Sequence, residues 1–297
     1  MNIYNKLQTK PININKTKNE NILNIIKKCL IKCYNNYAFS TLTYTVDNYN
    51  SEQSITNLNS GDCVALSLFI KHELKNNYNI NSCLIPASIP NMYKQFGYLY
   101  LSHVALIIPL NTKFYIVDPA FYFTEPIVFD PYDLYKKQTI KNTDIYSGSI
   151  DTVITRFDYL KNDKIYNNYQ SLPKYTPFAN CYYQHNTSDN WHYYIREIIN
   201  PDNAITNFFI NINKNCRFIT ITKLSDNCQC YLHIFLKIYL DTNILSLKID
   251  DKYYFNDNIR NLTYENIQFI NNLLKLYING SIERYFKNNN EPINIYD

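Results

Sequence analysis

Four glycines in 297 residues is a small number, and in a chain that avoids glycine the few it keeps are worth locating. Charge is thin as well. Only 18% of residues are charged against 46% apolar, which excludes a disordered or acidic solvating chain. Long apolar runs are missing: the longest, Val104 to Leu110, has the length of a strand and contains Pro109, so no membrane partner is expected. Met1 to Glu20 lacks the basic-then-apolar layout of a secretory signal. The expectation is a soluble, cytoplasmic protein whose eight cysteines are reduced thiols and not a disulfide framework. Basic charge is not concentrated either. The net +4 comes from scattered lysines with short pairs such as Lys27-Lys28 and Lys136-Lys137, so no nucleic-acid partner is expected.

What is abundant is Asn, Ile, Lys and Tyr, with 30 of the last. These residue types have AT-rich codons, and the composition reads as the genome bias of a virus, a protist or a low-GC microbe. A viral source would put the protein in the host cytoplasm or the virion. The same bias inflates chance motifs, among them the Asn-x-Ser/Thr triplets at Asn15, Asn186 and Asn261.

Apolar positions Ile22, Leu23, Ile25, Ile26, Leu30 and Ile31 follow a helical period and predict a helix within Asn19 to Tyr37. Cys29 and Cys33 fall four apart on it and read as two small buried residues. A polar connection from Asp47 to Asn59 leads to a second helix over Val64 to Leu74, with Ser60, Gly61 and Asp62 as turn and cap. Strands are predicted at Cys83 to Ile89, Tyr98 to Pro109 and Lys113 to Asp118. Asp130 to Thr187 reads as loop-rich, interrupted by Pro131, Pro173 and Pro177. The last third predicts strands at Phe208 to Ile212, Arg217 to Leu224, Tyr231 to Leu240 and Ile244 to Ile249, then a helix from Thr263 to Ile278.

Three residues carry candidate chemistry. Cys63 follows Gly61 and Asp62 at a helix start, where free backbone N–H groups and the helix dipole favour a thiolate, and Gly61 is read as supplying a sharp turn. His103 and Asp118 lie on two apolar strands joined by a turn at Asn111-Thr112. If Leu110 pairs with Lys113, Asp118 falls opposite Ala105, on the face of His103 and two residues from it. If Pro109 pairs with Thr112, Asp118 falls opposite His103 itself. The register between these two separates the pair onto opposite faces. A buried His and a buried Asp are each costly alone and explain one another when paired. With Cys63 they supply nucleophile, base and orienting carboxylate.

This order, a Gly-x-Cys at a helix start, a His in an apolar strand and an Asp at the end of the next, resembles the transglutaminase-like branch of the papain-type cysteine enzymes. The layout is most similar to arylamine N-acetyltransferases. The resemblance spans about Asn19 to Phe123. It implies an α+β, papain-like fold with a helical lobe (1–80) carrying the nucleophile, an antiparallel β-barrel or sheet lobe (81–190) carrying His and Asp, and a C-terminal α/β lobe (191–297) closed by a helix. It also implies a thiol acyltransferase that passes an acetyl group from acetyl-CoA, as co-substrate and not a bound cofactor, to a small-molecule amine. The chain departs from the family's pattern where Ser60-Gly61 replaces two glycines, Ala65 replaces a Glu, and Pro119-Ala120-Phe121 replaces a glycine-containing stretch. Asp118-Pro119 is closer to transglutaminase-like peptidases, which leaves open a peptidase or cross-linker acting on a protein substrate. A catalytically silent binding or structural module is the third reading.

Other features rank below these. Cys228, Cys230, His233 and Cys216 match no closed zinc spacing, and no metal site is expected. Cys181 with His185, and His192 beside Trp191, are candidates to line a substrate cleft, which the segment Tyr166 to Tyr183 would close or leave open. The Cys63 N–H is one candidate oxyanion donor, with Asn57 as a weaker second.

Overall fold

The computed structural model describes residues 21–42, 49–90, 103–110, 113–129, 137–144, 148–156, 179–183, 186–194, 198–205, 218–224, 232–250 and 252–280. Helix α1 (Ile22–Asn36) starts at Asn21, whose side chain accepts from the Leu23 N–H, and buries Ile25, Ile26, Cys29, Leu30, Cys33 and Tyr34 along one stripe. Its C-terminal carbonyls are met by the buried Lys223 ammonium, which donates to the carbonyls of Tyr34, of Asn35 at 3.0 Å and of Tyr37 at 3.5 Å. A cation suits the negative end of the helix.

The polar connection proves to hold a helix, α2 (Ser51–Leu58). Asn50 and Gln53 form a reciprocal capping box, which satisfies two N–H groups that the polar composition alone does not reveal. After strand β1 (Ala38–Ser40) and that helix comes β2 (Ser60–Gly61), paired parallel to β1 through Ala38 with Ser60 and Phe39 with Gly61. Helix α3 (Cys63–Tyr78) follows immediately and ends at Asn79 in the left-handed region, φ 53°.

Two sheets hold the rest. The first contains β3 (Cys83–Ala87), β4 (His103–Leu110), β5 (Lys113–Val117), β6 (Ile127–Phe129), β7 (Lys137–Asp144), β8 (Gly148–Arg156), β9 (Ala179–Tyr183) and β10 (Asn186–Tyr193), in the order β6-β5-β4-β3-β10-β9-β8-β7. Strands therefore occupy much of the stretch read as loop-rich. The second contains β11 (Phe218–Leu224), β12 (Leu232–Tyr239), β13 (Ile244–Ile249) and β14 (Lys252–Asn258), with β1 and β2 extending it beside β11. Helix α4 (Tyr264–Lys275), capped by Thr263 and Asn266, buries Ile267, Ile270 and Leu274. One core joins α1, α3, β4 and β5; a second, with Ile221, Leu236 and Leu247, lies between the second sheet and α4. The expected strand at 208–212 lies outside the described residues.

No helix among the described residues is long and apolar enough to cross a membrane.

Candidate active site

Cys63 is the first residue of α3. Asp62 caps that helix, its carboxylate accepting from the Ala65 N–H at 2.8 Å. Gly61 holds this turn by its size. A Cβ there would stand 2.3 Å from the Ala65 Cβ and 3.0 Å from Ser54 Oγ, so close approach of β2 to α3 and α2, not backbone freedom, requires glycine.

The β4–β5 hairpin takes the register that pairs Leu110 with Lys113. Asp118, one residue beyond β5, then reaches the face of His103. His103 Nε2 and Asp118 Oδ2 lie 2.6 Å apart, with both side chains buried. The Asp118 carboxylate thus engages the Nε2 side of the ring. The backbone N–H of Val104, next to His103, points at the Cys63 sulfur, as does that of Val64, and both favour the thiolate. Cys63, His103 and Asp118 are thus brought into one site.

The electrostatics differ from the simple expectation of a helix-activated thiolate. Burial of the thiol pushes Cys63 well above the ordinary thiol range, and the carboxylates of Asp62 and Asp118 push it the same way, against the two N–H groups. Losing a proton to water is disfavoured here.

Asp118 is itself held from several sides. Tyr193 Oη donates to Oδ2 at 2.7 Å and the Ala120 N–H donates to Oδ1 at 3.2 Å. Register explains how Tyr193 gets there: it pairs with Ala87 on β3, and Ala87 pairs with His103 on β4. All three share one face, and the small Ala87 leaves room for the phenol to cross. Phe121 lies 4.8 Å from the His103 ring and 5.3 Å from Trp191. Strand alternation puts Trp191 and Tyr193 on that face and His192 on the other, where its backbone pairs with Ser88. Alternation assigns Tyr193 to the face of Trp191 only once β10 is in place, and no strand is expected there from the sequence.

Asn57 is not joined to the site. It is exposed on α2, and its carbonyl accepts from the Asn279 side chain at 3.3 Å. Residues 166–178, His185, Cys216, Cys228, Cys230 and the side chains of Cys181 and His233 lie outside the described residues.

No family model matches the sequence, and no curated protein matches it. Solved structures do share its fold. An arylamine N-acetyltransferase of Bacillus cereus, described as having a Cys-His-Glu catalytic triad, aligns with a TM-score of 0.53 and 13% identity over 91% of this chain and 94% of its own. The arylamine N-acetyltransferase of Mycobacterium abscessus aligns with a TM-score of 0.50 and 9% identity over 89% of this chain and 86% of its own. The chain has the α+β, papain-like fold of these enzymes.

Proposed function

We propose that the protein catalyses cysteine-dependent acyl transfer through a thioester on Cys63, in the manner of an arylamine N-acetyltransferase. His103 Nδ1 takes the thiol proton, and the thiolate attacks the carbonyl carbon of the acyl donor. The carbon–sulfur bond of the thioester forms as the donor's leaving thiol takes the proton from the imidazolium. An amine then attacks the thioester, the bond to Cys63 breaks, and the amine's proton returns through His103 to the sulfur. Asp118 fixes the ring and stabilises its positive charge throughout. Acetyl-CoA is the donor this reading implies, an arylamine or hydrazine the acceptor, and the three lobes 1–80, 81–190 and 191–297 divide the work as nucleophile carrier, base carrier and closing lobe.

The observation that carries the reading is the 2.6 Å His103–Asp118 bond beside a buried cysteine at a helix start. The fold shared with acetyltransferases supports it. Asp118-Pro119 favours a second reading, a transglutaminase-like enzyme with a peptide or glutamine donor. Intact-mass measurement after incubation with acetyl-CoA tests the first: one acetyl group on wild type, absent from Cys63→Ala. Labelling of Cys63 by a glutamine or peptide probe without acetylation selects the second. A Cys63 that takes neither, and that iodoacetamide alkylates no faster than an ordinary thiol, marks a silent module.

A further inference from the structure

The turn after β5 carries two groups that meet His103, the Asp118 carboxylate and the Phe121 ring. Within it the Tyr122 N–H donates to the Pro119 carbonyl at 3.1 Å, and Tyr122 has φ 55°, a conformation that glycine adopts freely and tyrosine rarely. Something must hold a buried tyrosine there. Its ring lies 5.3 Å from that of Tyr34, and Tyr34 Oη donates to the carbonyl of Phe123, the next residue, at 2.5 Å.

The Tyr122 hydroxyl leaves the first sheet and reaches the second. It donates to the Thr222 carbonyl on β11 at 2.8 Å, and with that proton spent the Thr222 hydroxyl donates to it at 3.0 Å. The Phe39 N–H on β1 points at the same oxygen at 3.4 Å. Phe39 pairs with Gly61, two residues before Cys63. A single phenol oxygen therefore touches the strand that registers the nucleophile and the strand of the C-terminal sheet beside it, while its backbone forms the turn that aims the carboxylate.

We infer that Tyr122 is a positioning residue that locks the Asp118 turn to the β1–β2 strand pair leading into Cys63, so that Cys63, which follows β2 of the second sheet, and the His103–Asp118 pair, carried by β4 and the turn after β5 of the first, keep one geometry. The inference rests on the triad reading above. It adds that the alignment depends on a hydroxyl that touches none of the three residues, and that the C-terminal sheet takes part through Thr222.

The test compares the pH profile of Cys63 alkylation by iodoacetamide, mapped to that cysteine by peptide mass, in the full-length wild type, His103→Ala, Tyr122→Phe, Tyr122→Gly and Thr222→Val. Tyr122→Phe keeps the ring in its pocket and removes only the three contacts. It is expected to react on the order of tenfold or more slowly at neutral pH, since small misplacements of reacting groups have effects of that size, with its profile moved toward that of His103→Ala. Tyr122→Gly relaxes the backbone but lacks the strut, and is expected to be impaired as well. Thr222→Val keeps the carbonyl acceptor and is expected to move the profile the same way by less. A Tyr122→Phe profile that overlays wild type while His103→Ala departs from it overturns the inference and leaves the triad standing, even if the variant melts earlier. A His103→Ala profile that overlays wild type overturns both. Should Tyr122→Phe fail to fold, an unchanged profile in Thr222→Val overturns the strut.

Discussion

Asp118→Asn separates the chemical role of the carboxylate from its structural one. The amide has two orientations. With its oxygen in place of Oδ2 it still accepts from His103 and Tyr193, at sites now 2.6 and 2.7 Å from their donors, but its NH2 group faces the Ala120 N–H across the present 3.2 Å contact. Each of the first two bonds loses its charge assistance, about 1 kcal/mol apiece, and the buried amide donor without a partner costs about 1–3 kcal/mol. No longer burying a charge offsets part of this. A net loss of about 2–4 kcal/mol leaves a domain of ordinary stability folded. The chemical loss is larger, because an Asn behind His103 no longer supports imidazolium and permits the wrong tautomer. In serine triads the same change lowers the rate on the order of 10⁴-fold, about 5.5 kcal/mol in barrier. Rapid-quench mass spectrometry of acetyl transfer to Cys63, beside a urea titration of the same variant, reads both quantities. A folded Asp118→Asn protein that acylates Cys63 within tenfold of wild type refutes the reasoning.

Tyr193→Phe should slow acylation by a smaller factor, about tenfold, and cost about 1.5–3 kcal/mol in urea titrations, since one of the bonds to the buried Oδ2 is lost while His103 stays; an unchanged rate contradicts this. Gly61→Ala should destabilise the fold by about 1–3 kcal/mol through overpacking against Ala65, and Ala65→Gly in the same chain should recover part of it in urea titrations. Burial pushes the Lys237 ammonium down to about 8. The unfolded chain keeps that proton to higher pH, so this residue makes stability rise as pH climbs from about 8 toward the ordinary lysine range near 10.4. Lys237→Met should raise the thermal midpoint at pH 7 and flatten that rise. The buried Cys33 and Cys63 thiols are both pushed up, so the fold holds their protons more tightly than the unfolded chain does. Their contribution to stability should fall as pH rises above about 8.5, against the rise from Lys237, so Cys33→Ala should keep more of its stability over that range than wild type does, as thermal melts would report.

Much of the site was readable because its residues sit on strongly patterned elements. The apolar runs of β4 and β5 left few registers for their hairpin, and the one found, Leu110 with Lys113, puts Asp118 on the face of His103 as that register requires. Helix α1 followed from its apolar spacing and α3 from its cap. Polar composition hid α2, although Asn50 and Gln53 spell a capping box three residues apart. In a chain with 30 tyrosines, nothing local distinguishes Tyr122 or Tyr193 from the rest. Their roles come from sheet register and from a positive φ, both set by tertiary structure. The direction of the Cys63 shift was likewise beyond sequence, since the helix-end N–H groups were foreseeable but the burial that outweighs them was not.

The central step proposed for this protein is transfer of an acyl group to Cys63 with the help of His103. Intact-mass kinetics with acetyl-CoA in wild type, Cys63→Ala and His103→Ala measure that directly. The expected result is a single acetyl adduct on Cys63 in wild type, none in Cys63→Ala, and formation slowed by several orders of magnitude in His103→Ala. Equal rates in wild type and a folded His103→Ala, or an adduct that persists in Cys63→Ala, would contradict it.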